Sequence, residues 1–221
     1  MLKEYDIIVV GAGHAGNEAA ASAAKMGSSV LLVTMNMETI GQMSCNPAIG
    51  GIAKGQIVRE IDALGGQTGF VTDLSAIQYK LLNRSKGPAM WSPRAQCDRK
   101  MFSNTWRKTL ENIPNIDFWQ DVVQEIMVEK NKVVGVKTSM GVKIKCKAVV
   151  LNSGTFLNGS IHLGEKQFGG GRMGDKAIKG ITAQLETLGF KSGRMKTGTP
   201  ARVDGRSINF SLMEEQPGDE N

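Results

Sequence analysis

Ile7-Ile8-Val9-Val10-Gly11-Ala12-Gly13-His14-Ala15-Gly16-Asn17 decides the fold class. A short β-branched run such as Ile7–Val10 is typical of a strand buried on both faces of a parallel sheet. The glycines follow at once in GxGxxG spacing. The Ala-rich run Asn17 to Met26, closed by Gly27, predicts a helix, and Ser29 to Thr34 predicts a second buried strand. A GxGxxG triplet alone is a weak signal. Set between a buried strand and a helix, in a unit of about thirty residues, it is a dinucleotide-binding fingerprint. Gly11 permits the tight turn, Gly13 lets a pyrophosphate approach the backbone, and Gly16 lets helix and strand pack closely. The N–H groups and dipole of the helix start then face the phosphates, with Ala12, His14 and Ala15 completing the loop. His14 is expected to point outward, with no acid–base role.

An acidic residue usually stands about twenty residues on, to hold the ribose. Thr34, Met35 and Asn36 occupy that place, with Glu38 slightly later. Thr34, Asn36 or Glu38 is therefore the candidate. The departure weakens an NAD reading more than dinucleotide binding in general. The later segments favour FAD. Instead of further βα units, the chain runs through Val122–Val128, Val133–Thr138 and Val142–Lys147, short segments that predict an antiparallel meander. Turns are expected at Lys130-Asn131-Lys132 and Met140-Gly141. Ala148–Leu151 then predicts another buried strand, and Ser153, Gly154 and Thr155 after it bring the chain back to the cofactor. This layout resembles the FAD domain of glutathione-reductase-like flavoproteins. The expected class is α/β: a Rossmann-like FAD/NAD(P)-binding domain of parallel sheet, helices and small meander, truncated.

With 221 residues the chain can hold one full domain and the start of another. Residues 1–203 are read as the FAD-binding domain, with a basic, partly helical insertion near 80–110. Residues 204–221 are read as the start of an incomplete second domain, with a strand-like run at Ser207–Leu212 and a disordered acidic tail from Glu214. The net charge of +6 permits a polyanionic partner without proving one. Cys45, Cys97 and Cys146 include no CxxC pair, which argues for a reducing, cytoplasmic setting and against a flavin disulfide reductase. The first apolar run is too short for a signal peptide or membrane span. No metal site is expected.

Two further segments carry candidate chemistry. Between Lys80 and Lys108 stand Arg84, Lys86, Arg94, Arg99, Lys100 and Arg107, with Asp98 the sole acid and Trp91 and Trp106 interleaved. Basic residues with aromatics suit an RNA backbone and unstacked bases; a solvated charged face is the plain alternative, and the lopsided charge favours RNA. Cys45 lies in a small-residue loop ahead of a helix expected from about Ile52 to Leu64. A helix N-terminus and nearby cations, here Lys54 and Arg59, favour a thiolate. Such a thiolate could attack C6 of a uridine and make C5 nucleophilic. A buried structural cysteine is the plain alternative. Gly50-Gly51 suits either an anion-holding turn or a helix entry. Gly169-Gly170-Gly171-Arg172 suits either a mobile loop near the flavin, with Arg172 meeting an anion, or a solvent-exposed hinge.

The stretch Gly41-Gln42-Met43-Ser44-Cys45-Asn46-Pro47-Ala48-Ile49-Gly50-Gly51 resembles the signature of the MnmG (GidA) family of tRNA-modifying flavoenzymes. GAGHAG at 11–16, EIDALGG at 60–66, SKGPA at 85–89 and KTGTPAR at 196–202 agree with it in order, and the similarity covers essentially the whole chain. The resemblance implies an enzyme that uses FAD, NADH and a reduced folate to install a carboxymethylaminomethyl group at C5 of the tRNA wobble uridine. It implies a GTPase partner, MnmE, and a homodimer. It makes Cys45 the catalytic cysteine and gives Val123 a backbone contact to adenine. A second family cysteine has no counterpart in this sequence. The alternatives are a folate- and FAD-dependent tRNA uracil methyltransferase, against which the MSCNPAIGG loop argues, and a non-catalytic FAD-binding fragment.

Overall fold

The computed structural model describes residues 3–198 and 201–219. The chain runs β1 (Tyr5–Val10), α1 (His14–Lys25), β2 (Val30–Thr34), β3 (Ala48–Gly50), α2 (Lys54–Ala63), α3 (Thr68–Ser75), β4 (Ala76–Leu82), β5 (Ser92–Cys97), α4 (Arg99–Glu111) and β6 (Ile116–Gln120). It continues with β7 (Val123–Glu129), β8 (Lys132–Thr138), β9 (Lys143–Leu151), the hairpin β10 (Ser160–Leu163) and β11 (Lys166–Gly169), and α5 (Ile181–Thr187). The main sheet has the order β6-β2-β1-β9-β8-β7. β1 pairs in parallel with β2 and β9, and β2 with β6; β7, β8 and β9 pair antiparallel. This is the expected α/β, Rossmann-like architecture with a meander.

The two runs read as separate strands, Val142–Lys147 and Ala148–Leu151, are one strand. Lys143–Lys145 of β9 bonds β8, while Cys146 and Ala148–Leu151 lie beside β1. A strand has two hydrogen-bonding edges, so β9 joins the meander to the parallel sheet without a break. Its arrival next to β1 places Asn152 beside the glycine loop.

The period-2 alternation of the strands divides the core between the two faces. Val9, Val30, Leu32 and Ile116 meet α1, α3 and α4 through Ala20, Ala21, Ala24, Val71, Phe102, Trp106 and Leu110. Ile8, Val10, Leu31 and Val33 meet Val123, Ile126, Val136, Ile144 and Ile181. α4 shows how its sequence sets its place. Asp98 caps it by accepting from the Met101 N–H at 2.7 Å, and Phe102, Trp106 and Leu110 form one apolar stripe, all fully buried. Trp106 is thus a core residue, and of the two interleaved tryptophans Trp91 alone is exposed.

A second, three-stranded sheet, β3-β5-β4, fills the region expected to be loop and basic insertion. The end of the chain departs from expectation as well. In place of a strand over Ser207–Leu212, one single-turn 3-10 helix, Gly205–Ser207, ends at Ser207 and a second spans Phe210–Leu212. Residues 214–219, expected to be disordered, reach the open edge of β4. The Asp219 N–H donates to the Tyr79 carbonyl, the Leu81 N–H donates to the Asp219 carboxylate, and Arg84 pairs with that carboxylate at 2.9 Å. An edge strand's free N–H and C=O groups explain why a polar tail adheres there. No helix among the described residues is long and apolar enough to cross a membrane.

Candidate functional site

β1 and β9 end side by side, and the chain turns sharply at both ends. Asn152 donates its N–H to the Val10 carbonyl and Gly11 donates to Val33, each at 2.8 Å. Gly11 has φ +100°, and a Cβ there would lie 2.3 Å from the Asn152 carbonyl oxygen; one at Gly16 would lie 1.7 Å from the Gly11 oxygen. Both glycines are required by close backbone approach. Gly13 differs: a Cβ there would meet nothing within 4 Å. It is the N-cap of α1, with no side-chain cap and no acid in the first turn, so the positive end of the helix is left open.

The space in front of Gly13 is a cleft lined by Gly11–Gly13, Val33–Asn36, Asp121, Val123, Leu151–Gly154 and Arg172. It lies at the C-terminal ends of the parallel strands, where open α/β sheets bind ligands. Asn152 is one of the lining residues, and its side-chain amide nitrogen is buried without a partner. An unsatisfied donor beside an open helix start fits a polar, phosphate-bearing ligand.

Of the ribose candidates, Thr34 and Asn36 line the cleft and Glu38 does not. The Thr34 hydroxyl donates to the Asn36 carbonyl, and the Asn36 side chain accepts from the Glu38 N–H at 2.9 Å. The Glu38 carboxylate pairs with Arg107 at 2.8 Å. Val123, Ser153 and Gly154 line the cleft, whereas the Thr155 hydroxyl donates to the Gly171 carbonyl. His14 and Ala15 are exposed, and Gly16 is buried under the turn. The inner side of His14 is crowded by protein, with the Phe102 ring 5.5 Å away. Desolvation first, then the charges of Arg172 and Lys54, hold its imidazole below the usual range and leave it neutral at pH 7.

Asp121, overlooked in the sequence, is buried at the cleft wall. Burial pushes its carboxyl up, but hydrogen bonds from the Ser139 hydroxyl and the Val122 and Met140 N–H groups outweigh it and leave it below the usual range. These bonds tie the β8–β9 turn to the end of β6. A folded-state pKa below the unfolded value of about 3.9 stabilises the protein above that pH, and the contribution is lost as pH falls through the folded value. Asp121→Asn should therefore cost about 1–3 kcal/mol at pH 7. Melting curves of the variant and the wild type should converge as pH falls through the folded-state pKa. A gap that stayed constant with pH would contradict this assignment.

Cys45 is exposed, whereas Cys97 and Cys146 are buried and burial raises their thiol pKa values. The helix expected from about Ile52 to Leu64 is α2, Lys54–Ala63, but a strand lies between it and the cysteine. That strand is β3, in which Ala48–Gly50 pairs with Arg94–Gln96. Arg99 and Arg202 lie at the loop, and their guanidinium groups donate to the Cys45 carbonyl at 2.7 and 3.1 Å. Arg202 belongs to the KTGTPAR stretch, of which Thr199 and Pro200 lie outside the described residues. Nothing in the sequence singled Arg202 out from its neighbours. Gly50 and Gly51 are outside the cleft lining; a Gly50 Cβ would lie 2.1 Å from the Pro93 oxygen, and Gly51 donates to that oxygen at 2.8 Å. Arg172 links the two regions: it lines the cleft, donates to the Gln42 side chain at 2.6 Å and lies over the Phe156 ring.

The basic candidates separate. Lys86 and Lys100 are exposed. Arg84 is exposed and paired with Asp219. Arg94 is half-buried, its Nε without a partner. Arg99 holds the cysteine loop, and Arg107 lies between Glu38 and Glu111, which raise its pKa.

The chain is 68% identical over 221 residues to the tRNA uridine 5-carboxymethylaminomethyl modification enzyme MnmG of Cytophaga hutchinsonii, covering all of this chain and 36% of that protein. It is 64% identical over 218 residues to the enzyme of the same name from Christiangramia forsetii, covering 99% of this chain and 35% of that one. The chain thus spans about a third of the length of these curated relatives. Among solved structures, GidA of Aquifex aeolicus in its form I crystal superposes with a TM-score of 0.93 at 52% identity, over 98% of this chain and 36% of that one. The GidA-related protein from Thermus thermophilus, at 22% identity and TM-score 0.61 over 85% of this chain and 69% of that one, shares the fold. The family model described as glucose inhibited division protein A matches residues 6–221, and the chain belongs to that family.

Proposed function

We propose that this chain supplies the FAD-binding part of an enzyme that installs a carboxymethylaminomethyl group at C5 of the tRNA wobble uridine. The observation that carries the reading is the joining of an open glycine loop to an exposed cysteine. Gly13 faces the cleft without a neighbour, and Arg172 at the cleft wall holds Gln42 in the loop that bears Cys45. Relatives with 68% and 64% identity carry this activity in their names.

In this reading Gly11–Gly16 hold the pyrophosphate, Thr34 or Asn36 the ribose, and the Val123 backbone the adenine, with Ser153–Thr155 closing the site. FAD supplies redox chemistry when bound, with NADH as reductant and a reduced folate as one-carbon donor. The Cys45 thiol adds to C6 of the uridine, and C5 becomes the nucleophile. The enzyme works in the cytoplasm as a homodimer with the GTPase MnmE. Purified protein should show flavin absorbance bands and retard tRNA in a gel. A colourless protein that also fails to retard tRNA overturns the reading.

The exposed lysines of the basic segment should meet tRNA phosphates. Lys86→Ala with Lys100→Ala should weaken tRNA binding and flatten its salt dependence by about 1.4–1.8 units of log–log slope, about 0.7–0.9 for each lost contact. Flavin content should not change. An unaltered slope would exclude both lysines from the interface.

A further inference from the structure

We propose that Arg99 and Arg202 form a phosphate clamp that seats the RNA backbone beside Cys45. Two guanidinium groups donate to one carbonyl oxygen, that of Cys45, at 2.7 and 3.1 Å. Their donor nitrogens therefore lie within about 6 Å of each other, close enough for the like charges to repel. Among the described residues neither has a carboxylate within ion-pair distance. Arg84 and Arg107, by contrast, are each matched by an acid.

The placement of Arg99 sharpens the point. It is the first residue of α4, whose first turn contains no acid. The Asp98 carboxylate before it is engaged as the helix cap, accepting from the Met101 N–H, and makes no ion pair with Arg99. Each guanidinium has five N–H donors and the shared carbonyl takes one bond from each, which leaves donors free for an oxyanion. Both side chains are exposed, as is Cys45. An anion bridging the pair relieves the repulsion and lies next to the thiol. The chemistry matches a phosphodiester of a single-stranded RNA segment, whose unstacked base can then reach the thiol. This inference rests on the tRNA reading and adds the site that positions the substrate at the cysteine.

The test uses anisotropy of a labelled RNA hairpin whose single-stranded loop carries a uridine, over a salt series, together with iodoacetamide labelling of Cys45. Arg99→Ala and Arg202→Ala should each weaken binding about tenfold and reduce the salt slope by about 0.7. Arg202→Lys should restore most of the slope, and Lys145→Ala, an exposed charge on β9, should leave both unchanged. Saturating RNA should slow labelling of Cys45 in the wild type but not in the double alanine variant. Equal melting midpoints exclude misfolding as the cause. Wild-type RNA binding matched by both alanine variants overturns the clamp and leaves the tRNA reading standing. So does inorganic phosphate that binds through the two arginines while RNA gives no protection of Cys45. A wild type with no RNA affinity removes the clamp together with the tRNA reading.

Discussion

Gly13→Val should strip the protein of flavin while leaving its fold standing. Gly13 has φ −80° and ψ −172°, an extended conformation that a β-branched residue adopts readily. Apart from its chain neighbours, no described residue lies within 4 Å of the position its Cβ would take, so valine meets the space of the cleft. The cost to the fold is the weaker N-cap, about 1 kcal/mol. The cost to the ligand is a branched side chain where a pyrophosphate must approach the backbone. Flavin absorbance per mole of protein should fall by more than about tenfold, corresponding to more than about 1.4 kcal/mol of binding. Stoichiometric flavin in the variant would mean that this loop is not the phosphate site. Gly11 and Gly16 do not offer so clean a test. A Cβ at either would strike backbone carbonyl oxygens, so flavin loss there would report a damaged turn.

The glycine loop was legible because its physics is local. A buried strand, a turn that needs glycine and a helix start fall within one short window, and each leaves its own mark in composition and spacing. The meander was legible by the same rule, with its turns where Lys130, Asn131 and Gly141 adopt positive φ. The cleft wall was less so. Asp121 and Asn152 matter because β6 and β9 end next to the loop, and strand order is a long-range property that periodicity does not carry. β4 and β5, AIQYKLL and SPRAQC, lack the apolar pattern of a buried strand, so their sheet was hidden behind a basic composition. The aromatic residues misled in the same way. Trp106 stands among basic residues in sequence, but helical periodicity turns it to the core and leaves the charges outside.

The cysteine loop shows most clearly what sequence distance conceals. Lys54 and Arg59 were the nearest cations along the chain, yet the guanidiniums at the Cys45 carbonyl come from residues 54 and 157 positions away. β3 is the cause. By pairing with β5 it carries the cysteine loop to the start of α4, where Cys97 donates its N–H to the Pro47 carbonyl at 2.7 Å. The cysteine loop thereby also meets two arginines that are distant in sequence.

Cys45 should alkylate far ahead of the other two thiols. Cys97 and Cys146 are 1% and 3% exposed, so reagent reaches them only when the structure opens. Burial also raises both of their pKa values, which reduces the reactive thiolate further. If their exposure requires opening that costs about 4–5 kcal/mol, labelling is slowed by about three orders of magnitude relative to an open thiol. Limited iodoacetamide at neutral pH followed by peptide mass analysis should therefore find the label on Cys45 alone. Equal labelling of all three would show that the cysteine loop gives Cys45 no distinct access. The functional counterpart follows from the proposed modification of the uridine. Cys45→Ser keeps the size of the side chain but replaces a nucleophilic thiol with a hydroxyl that remains protonated at neutral pH. Cys45 lies outside the cleft lining, so flavin content should be unchanged. Modification of the uridine should fall below detection, because loss of a covalent nucleophile removes a step that binding alone does not replace. Retained modification with full flavin would assign the nucleophile to another residue and leave Cys45 as an exposed loop cysteine.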